Sequence, residues 1–208
     1  MKSIVIVNYG MGNINSITSA VRFLGYEPIL SDKEEQILKA ERIILPGVGS
    51  FYKAMQNIRQ KKLDTIIKKA VLEKGIPLLG ICLGMQLLFQ LGTEDEETEG
   101  LGFIEGIVEK FNQSDKNVKI PHIGFSRTEI IKDSKIFKKL GSQVDFYYNH
   151  SFRALTQEKF VIALAHNGEK FTAAVENGNI FGTQFHPELS QSNGLRVIKN
   201  FLELKNAI

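Results

Sequence analysis

Cysteine is almost missing from this sequence: Cys82 is the only one in 208 residues. A lone cysteine excludes an internal disulfide framework and fits a reducing compartment, so a cytoplasmic location is expected. Long apolar runs are missing too. None approaches the ~20 residues needed to span a bilayer, and the opening Met1-Lys2-Ser3-Ile4-Val5-Ile6-Val7 is too short for the apolar part of a signal peptide and reads as a first strand. No membrane association is expected. Nor is there an excess of one charge: 26 Lys and Arg against 23 Asp and Glu leave +3, too near balance to argue for nucleic acid. Lys61-Lys62 and Lys68-Lys69 alternate with apolar residues at helical spacing and read as solvated helix faces. The four histidines, His122, His150, His166 and His186, have neither helical nor cysteine-paired ligand spacing, so no metal and no other cofactor is expected. Repeats, low-complexity segments and a clear linker are also missing. With 43% hydrophobic and 24% charged residues, residues 1–208 suit one globular domain with a large core.

What is present alternates between strand and helix. Ile4 to Val7 is a continuous apolar, β-branched run, as in a strand buried on both faces. The turn after it, Asn8-Tyr9-Gly10-Met11-Gly12-Asn13, is no dinucleotide fingerprint, because Ser16 and Ile17 stand where a third glycine should lie and no acidic residue ends the next strand. A helix is predicted over about residues 14–24, a strand near 27–30, a short helix over 33–39 and a third strand at 42–45. Helices follow over 51–59 and 63–73, with Gly75 as a C-cap. Then comes the run Ile76-Pro77-Leu78-Leu79, and after Cys82 a helix through Met85-Gln86-Leu87-Leu88-Phe89. This order predicts an α/β fold, a central mostly parallel sheet flanked by helices, whose sites gather at the C-terminal ends of the strands. Residues 91–102 are acidic and read as a surface loop. The C-terminal half is β-rich, with short runs at 107–111, 127–130, 144–148, 161–165, 172–176 and 180–184. Asn167-Gly168 and Asn177-Gly178 suit hairpins, and residues 193–205 read as a closing helix.

Cys82 sits in Gly80-Ile81-Cys82-Leu83-Gly84, between a predicted buried strand and a predicted helix. A nucleophile lifted out on such a turn needs neighbours without Cβ atoms, and the helix N-terminus behind it favours the thiolate. A lone cysteine beside apolar residues is ordinarily a small buried hydrophobe, so the pattern needs a base and an orienting acid. Ile180-Phe181-Gly182-Thr183-Gln184-Phe185 leads into His186-Pro187-Glu188, and in extended chain residues i and i+2 address one side. A carboxylate there fixes the imidazole tautomer while the other nitrogen takes a thiol proton. Cys82, His186 and Glu188, all at strand C-termini, meet the needs of a catalytic triad.

Gly80-Ile81-Cys82-Leu83-Gly84-Met85-Gln86 and Gln184-Phe185-His186-Pro187-Glu188 resemble the two signatures of class I (triad) glutamine amidotransferases. Within that superfamily, the 8–13 turn, Leu45-Pro46-Gly47-Val48-Gly49-Ser50-Phe51, Pro121-His122-Ile123-Gly124 and Tyr147-Tyr148-Asn149-His150-Ser151 resemble the HisH family, glutaminase subunits of imidazole glycerol phosphate synthase. The resemblance runs from residue 4 to the closing helix. It implies the class I amidotransferase fold and a Cys82 thiolate that attacks the side-chain amide of L-glutamine. His186 serves as proton carrier, with Glu188 orienting it. The N–H groups of Leu83 and Val48 are implied as the oxyanion hole, worth ~3–4 kcal/mol each. Gly49, Gln86, Glu94 and Ser151 are implied to bind the substrate. Glu94 rests on a looser match, Leu91-Gly92-Thr93-Glu94-Asp95-Glu96 against the family's Ser-Glu-Glu. Ammonia is implied to pass to a HisF-like (β/α)8-barrel cyclase in a heterodimer, making imidazole glycerol phosphate and aminoimidazole carboxamide ribotide in histidine biosynthesis. Asn13, His122 and Tyr147 are implied at the partner interface and ammonia gate.

Three positions depart from the family pattern. Leu189 replaces the usual lysine after His-Pro-Glu, Phe125-Ser126 replace Trp-Asn after Pro-His-x-Gly, and Tyr148-Asn149 stand where an apolar pair is common. These departures keep open a paralogue that feeds ammonia, with its own HisF-like partner, to another acceptor such as an acetamidino sugar of surface polysaccharide. A stand-alone thiol hydrolase of the same fold is a further reading.

Overall fold

Ile4–Val7 is wholly buried, as a strand covered on both faces must be. The computed structural model describes residues 3–112 and 119–204. Its first half runs β1 (Ile4–Val7), α1 (Ile14–Phe23), β2 (Pro28–Ser31), α2 (Glu34–Leu38), β3 (Arg42–Leu45), α3 (Phe51–Gln60), α4 (Leu63–Lys68), β4 (Leu78–Ile81) and α5 (Leu83–Gln86). The second half runs β5 (Phe89–Gly92), β6 (Thr98–Glu99), β7 (Ile104–Lys110), β8 (His122–Ile130), β9 (Gln143–His150), β10 (Phe152–Thr156), β11 (Val161–Asn167), β12 (Glu169–Asn177), β13 (Ile180–Thr183) and α6 (Gln191–Leu202).

The main sheet has nine strands in the order β2-β1-β3-β4-β13-β12-β11-β8-β9. It is parallel from β2 through β13 and antiparallel from β13 to β9. The strand alternation sends Val5, Val7, Ile43 and Leu45 to one face, against α3 and α4. Ile4, Ile6, Ile44, Leu79 and Ile81 go to the other, against α1 and α6. The β-rich half thus continues the parallel sheet, and both Asn-Gly pairs make the hairpins β11–β12 and β12–β13, with Gly168 and Gly178 at positive φ.

Three local expectations change. The helix after Cys82 is a single turn ending at Gln86, and Phe89 opens a strand. Long-range backbone pairing overrides local propensity here, since Leu87 and Leu88 carbonyls accept from Leu101, Phe103 and Ile104. Residues 91–102 are correspondingly not just a loop: they hold the end of β5 and all of β6, in a second sheet of order β10-β7-β5-β6. The closing helix starts at Gln191, two residues early. Its expected end at Lys205 lies outside the described residues.

Candidate active site

Cys82 stands at the junction of β4 and α5 with φ +54° and ψ −112°, a conformation unusual for a side-chain-bearing residue. Its N–H donates to Thr183 O at 2.7 Å, and its carbonyl accepts from Met85 and Gln86. The strained turn is therefore held from both sides. The flanking glycines are required by close approach: a Cβ on Gly80 would lie 2.5 Å from Gly84 O, and one on Gly84 would lie 1.8 Å from Leu45 O. With one turn only, α5 offers unpaired N–H groups more than a macrodipole. No acceptor among the described residues takes the Leu83 N–H.

His186 comes from the segment after β13, the strand beside β4. Its N–H donates to Tyr147 O at 2.8 Å, and Ser190 Oγ links the His186 carbonyl (2.6 Å) to the Tyr147 N–H (2.9 Å). Pro187–Leu189 is a turn of 3₁₀ helix and not a continuing strand. Glu188 nevertheless reaches back, with Oε1 2.9 Å from His186 Nδ1, and its side chain is completely buried. Burial works against a charged His186. Hydrogen bonds to Cys82 and Glu188, and their charges, overcome it and push its pKa up to about 10. The arrangement favours an imidazolium at His186, set between the Cys82 sulfur and the Glu188 carboxyl. The acid was expected to act through i, i+2 strand geometry; a tight turn does the same work.

The loop from Pro46 to Ser50 lies over this junction. Tyr9 donates its hydroxyl proton to Pro46 O at 2.7 Å, and burial together with the Cys82 charge raises the phenol pKa strongly. Ser50 caps α3, accepting from Lys53 N–H, and also bonds Asp95. Between these anchors, Gly47 presses on α5: a Cβ there would meet Gly84 N at 2.7 Å. Gly49, at φ +101°, allows the bend that follows.

A cleft of about 680 Å³ opens above Cys82. Asn13, Val48, Gly49, Leu83, Gln86, Glu94, Tyr147, Ser151 and His186 all line it. Gln86 is buried and donates through Nε2 to Phe152 O and Gln184 Oε1. Glu94 accepts from Phe51 N–H at the start of α3, and burial raises its carboxyl pKa. Glu188 lies behind His186 and outside the cleft. His122, expected at the partner interface, is also outside it. Its ring is buried, stacked on Tyr148, and bonded to His150 Nε2 (3.1 Å) and Ser126 Oγ (2.8 Å). What His122 supports is His150, which lines the cleft and also bonds Phe152 O at 2.7 Å.

Two residues escaped the reading of the sequence. Tyr9 anchors the glycine loop, and Gln184 directs its amide nitrogen at Cys82 Sγ, 3.8 Å away. A polar amide interrupting an apolar strand end was the available signal for Gln184. Among the described residues, no group of three or more His, Cys, Asp and Glu side chains is placed to hold a metal ion.

Residues 5–204 match the family model "Glutamine amidotransferase class-I". Imidazole glycerol phosphate synthase subunit HisH 1 of Campylobacter jejuni is 42% identical over 201 residues, covering 97% of this chain and 100% of its own. Subunit HisH of Moorella thermoacetica is 40% identical over 205 residues, covering 98% and 96%. In fold, the chain resembles a glutamine amidotransferase crystal structure (TM-score 0.74, 23% identity, 96% and 97% covered). It likewise resembles the structure of PurLQS from Thermotoga maritima (TM-score 0.74, 24% identity, 97% and 98% covered).

Proposed function

The chain belongs to the class-I glutamine amidotransferases, and on that premise we propose that it is a HisH-type glutaminase subunit. It hydrolyses L-glutamine to glutamate and passes ammonia to a partner subunit of imidazole glycerol phosphate synthase in histidine biosynthesis. The observation that carries this is the Cys82–His186–Glu188 arrangement, enclosed at the C-terminal edge of the parallel strands. It sits in a chain 42% identical to a HisH subunit over nearly its whole length.

The steps follow from these groups. His186 holds the thiol proton, and Cys82 Sγ adds to the amide carbon, forming a C–S bond and placing the carbonyl electron pair on oxygen. The N–H groups of Leu83 and Val48 receive that oxyanion. His186 then protonates the amide nitrogen, the C–N bond breaks, and ammonia leaves. Water adds to the thioester, giving a proton to His186; the C–S bond breaks and glutamate departs. Gly49, Gln86, Glu94 and Ser151 hold the substrate's α-amino and carboxylate groups. Asn13 and Tyr147 line the cleft, and past them ammonia would cross to a (β/α)8-barrel cyclase in a cytoplasmic heterodimer.

One observation favours a second reading. Leu189, at the cleft rim, is 40% exposed and apolar where family members carry a cation. A paralogue serving a different barrel and acceptor would need such a changed rim. Glutamate release is therefore measured alone, with the histidine-pathway barrel, and with any second barrel of that type. Stimulation by the histidine-pathway barrel that disappears in Cys82→Ala supports the first reading, and stimulation only by the second barrel supports the paralogue. Strong turnover without a partner overturns both readings in favour of a stand-alone hydrolase.

A further inference from the structure

Gln184 is fully buried at the end of β13, between Cys82 and Gln86, and the mechanism above gives it no task. We infer that Gln184 is a positioning residue whose one amide both steadies the Cys82 sulfur and, together with the Phe152 carbonyl, holds the Gln86 amide with its oxygen toward the substrate. This rests on the glutaminase reading and deepens it.

The hydrogen-bond chain decides its own polarity. Gln86 Nε2 lies 3.2 Å from the Phe152 carbonyl oxygen. A carbonyl can only accept, so the Gln86 atom facing it is the amide nitrogen. That same nitrogen is 3.0 Å from Gln184, which must therefore present its oxygen there. The Gln184 nitrogen then faces Cys82 Sγ at 3.8 Å, as a donor to sulfur. A donor at this point stabilises negative charge on the sulfur.

The consequence for the substrate follows. Both N–H groups of Gln86 are committed inside the protein, so the carbonyl oxygen is what it has left for the cleft. An acceptor there recognises a donor, such as a cationic α-amino group, and repels a carboxylate. Were Gln184 unable to accept, only the Phe152 carbonyl would hold the Gln86 amide, and its oxygen would be less firmly aimed into the cleft. Gln184 thus links substrate selection to the nucleophile through a single side chain, and neither half requires it to touch the substrate.

Two variants separate the halves. Gln184→Glu keeps an acceptor toward Gln86 and removes the donor to sulfur. Gln184→Met, close in size and apolar, removes both. In Gln184→Glu, kcat for glutamate release falls about tenfold or more while KM stays within about twofold. In Gln184→Met, KM also rises about tenfold, and the preference for L-glutamine over its α-deaminated analogue glutaramate narrows by a similar factor. The rate at which iodoacetamide alkylates Cys82 falls in both. Thermal melting confirms that each variant is folded; should the buried carboxylate prevent folding, the KM, preference and alkylation rate of Gln184→Met decide. An unchanged KM in Gln184→Met, or wild-type alkylation in both, overturns the inference. Alkylation needs no turnover, so it separates this failure from that of the glutaminase reading, which would appear as undiminished glutamine hydrolysis in Cys82→Ala.

Discussion

His186 Nδ1 lies 2.9 Å from Glu188 Oε1, and the glutamate side chain has no exposed surface. Glu188 and Cys82 together outweigh the burial that would otherwise discharge the imidazole. Glu188→Gln removes one of these two supports. The His186 midpoint, followed by NMR, should fall from about 10 toward the ordinary 6.5. By comparison with other buried triad acids, kcat for glutamine hydrolysis should drop by about a hundredfold or more. The raised folded-state value also sets a sign for stability. The contribution of His186 is complete below pH 6.5 and disappears as pH rises to about 10. A wild-type midpoint and kcat in the variant would show that the carboxylate is only filling space.

The grouping of Cys82, His186 and Glu188 was legible in the sequence because each carried a local signature with a steric or electrostatic reason. Gly80 and Gly84 announce the turn at Cys82, and the structure shows why: a Cβ at either would collide with backbone oxygen. The parallel half was legible because its strands are short, mainly apolar runs, broken only at their ends by residues such as Ser31 and Arg42. The second sheet was legible only in β7, which the expected run at 107–111 overlaps. Its strand β6 has two residues, and in β10 the pattern is broken by Arg153, whose charge is buried against Glu109 and Glu169. Phe89 belongs to a strand through contacts with residues more than a dozen positions away, which no local window contains. Tyr9 and Gln184 share that difficulty, since each acts on a residue far away in sequence.

Gly84 gives the sharpest test of the packing behind the nucleophile. Alanine there would place its Cβ 1.8 Å from Leu45 O, which is backbone of a central strand and cannot move aside cheaply. Gly84→Ala should lose about 3 kcal/mol or more of stability in urea unfolding, or fail to fold. Gly141→Ala is the control. Its Cβ would meet only Gln143 O, at 3.8 Å, and its stability should stay within about 0.5 kcal/mol of wild type.

His150 makes stability sensitive to acid. Burial, aided by the charges of His122 and His186 against the opposing Phe152 carbonyl, pushes its pKa down to about 3. Unfolded chain binds a proton near pH 6.5 that the folded chain refuses, so stability falls as pH drops from 6.5 toward 3. One such group contributes a slope of up to about 1.4 kcal/mol per pH unit. In His150→Gln the slope of unfolding free energy between pH 6.5 and 4.5 should be shallower by about that amount, whatever its value at neutral pH. Parallel slopes for the two proteins would place the acid sensitivity elsewhere.

The outer face of the β8–β9 hairpin leaves Ile123 and Phe125 59% and 51% exposed, and Phe125 packs edge-on against Tyr147 at the mouth of the cleft, 5.6 Å between ring centres. Apolar rings beside the cleft cost solvation in the free subunit and recover it when a partner covers them. Phe125→Asp should therefore weaken binding of the partner subunit by about ten- to a hundredfold, as loss of an aromatic anchor does. Because the ring is half in solvent, the melting temperature of the isolated subunit should barely move. Calorimetric titration of wild type and variant with the partner subunit measures the difference. An affinity unchanged by Phe125→Asp would mean that the partner covers the cleft from another side, and that the ammonia does not leave past Tyr147.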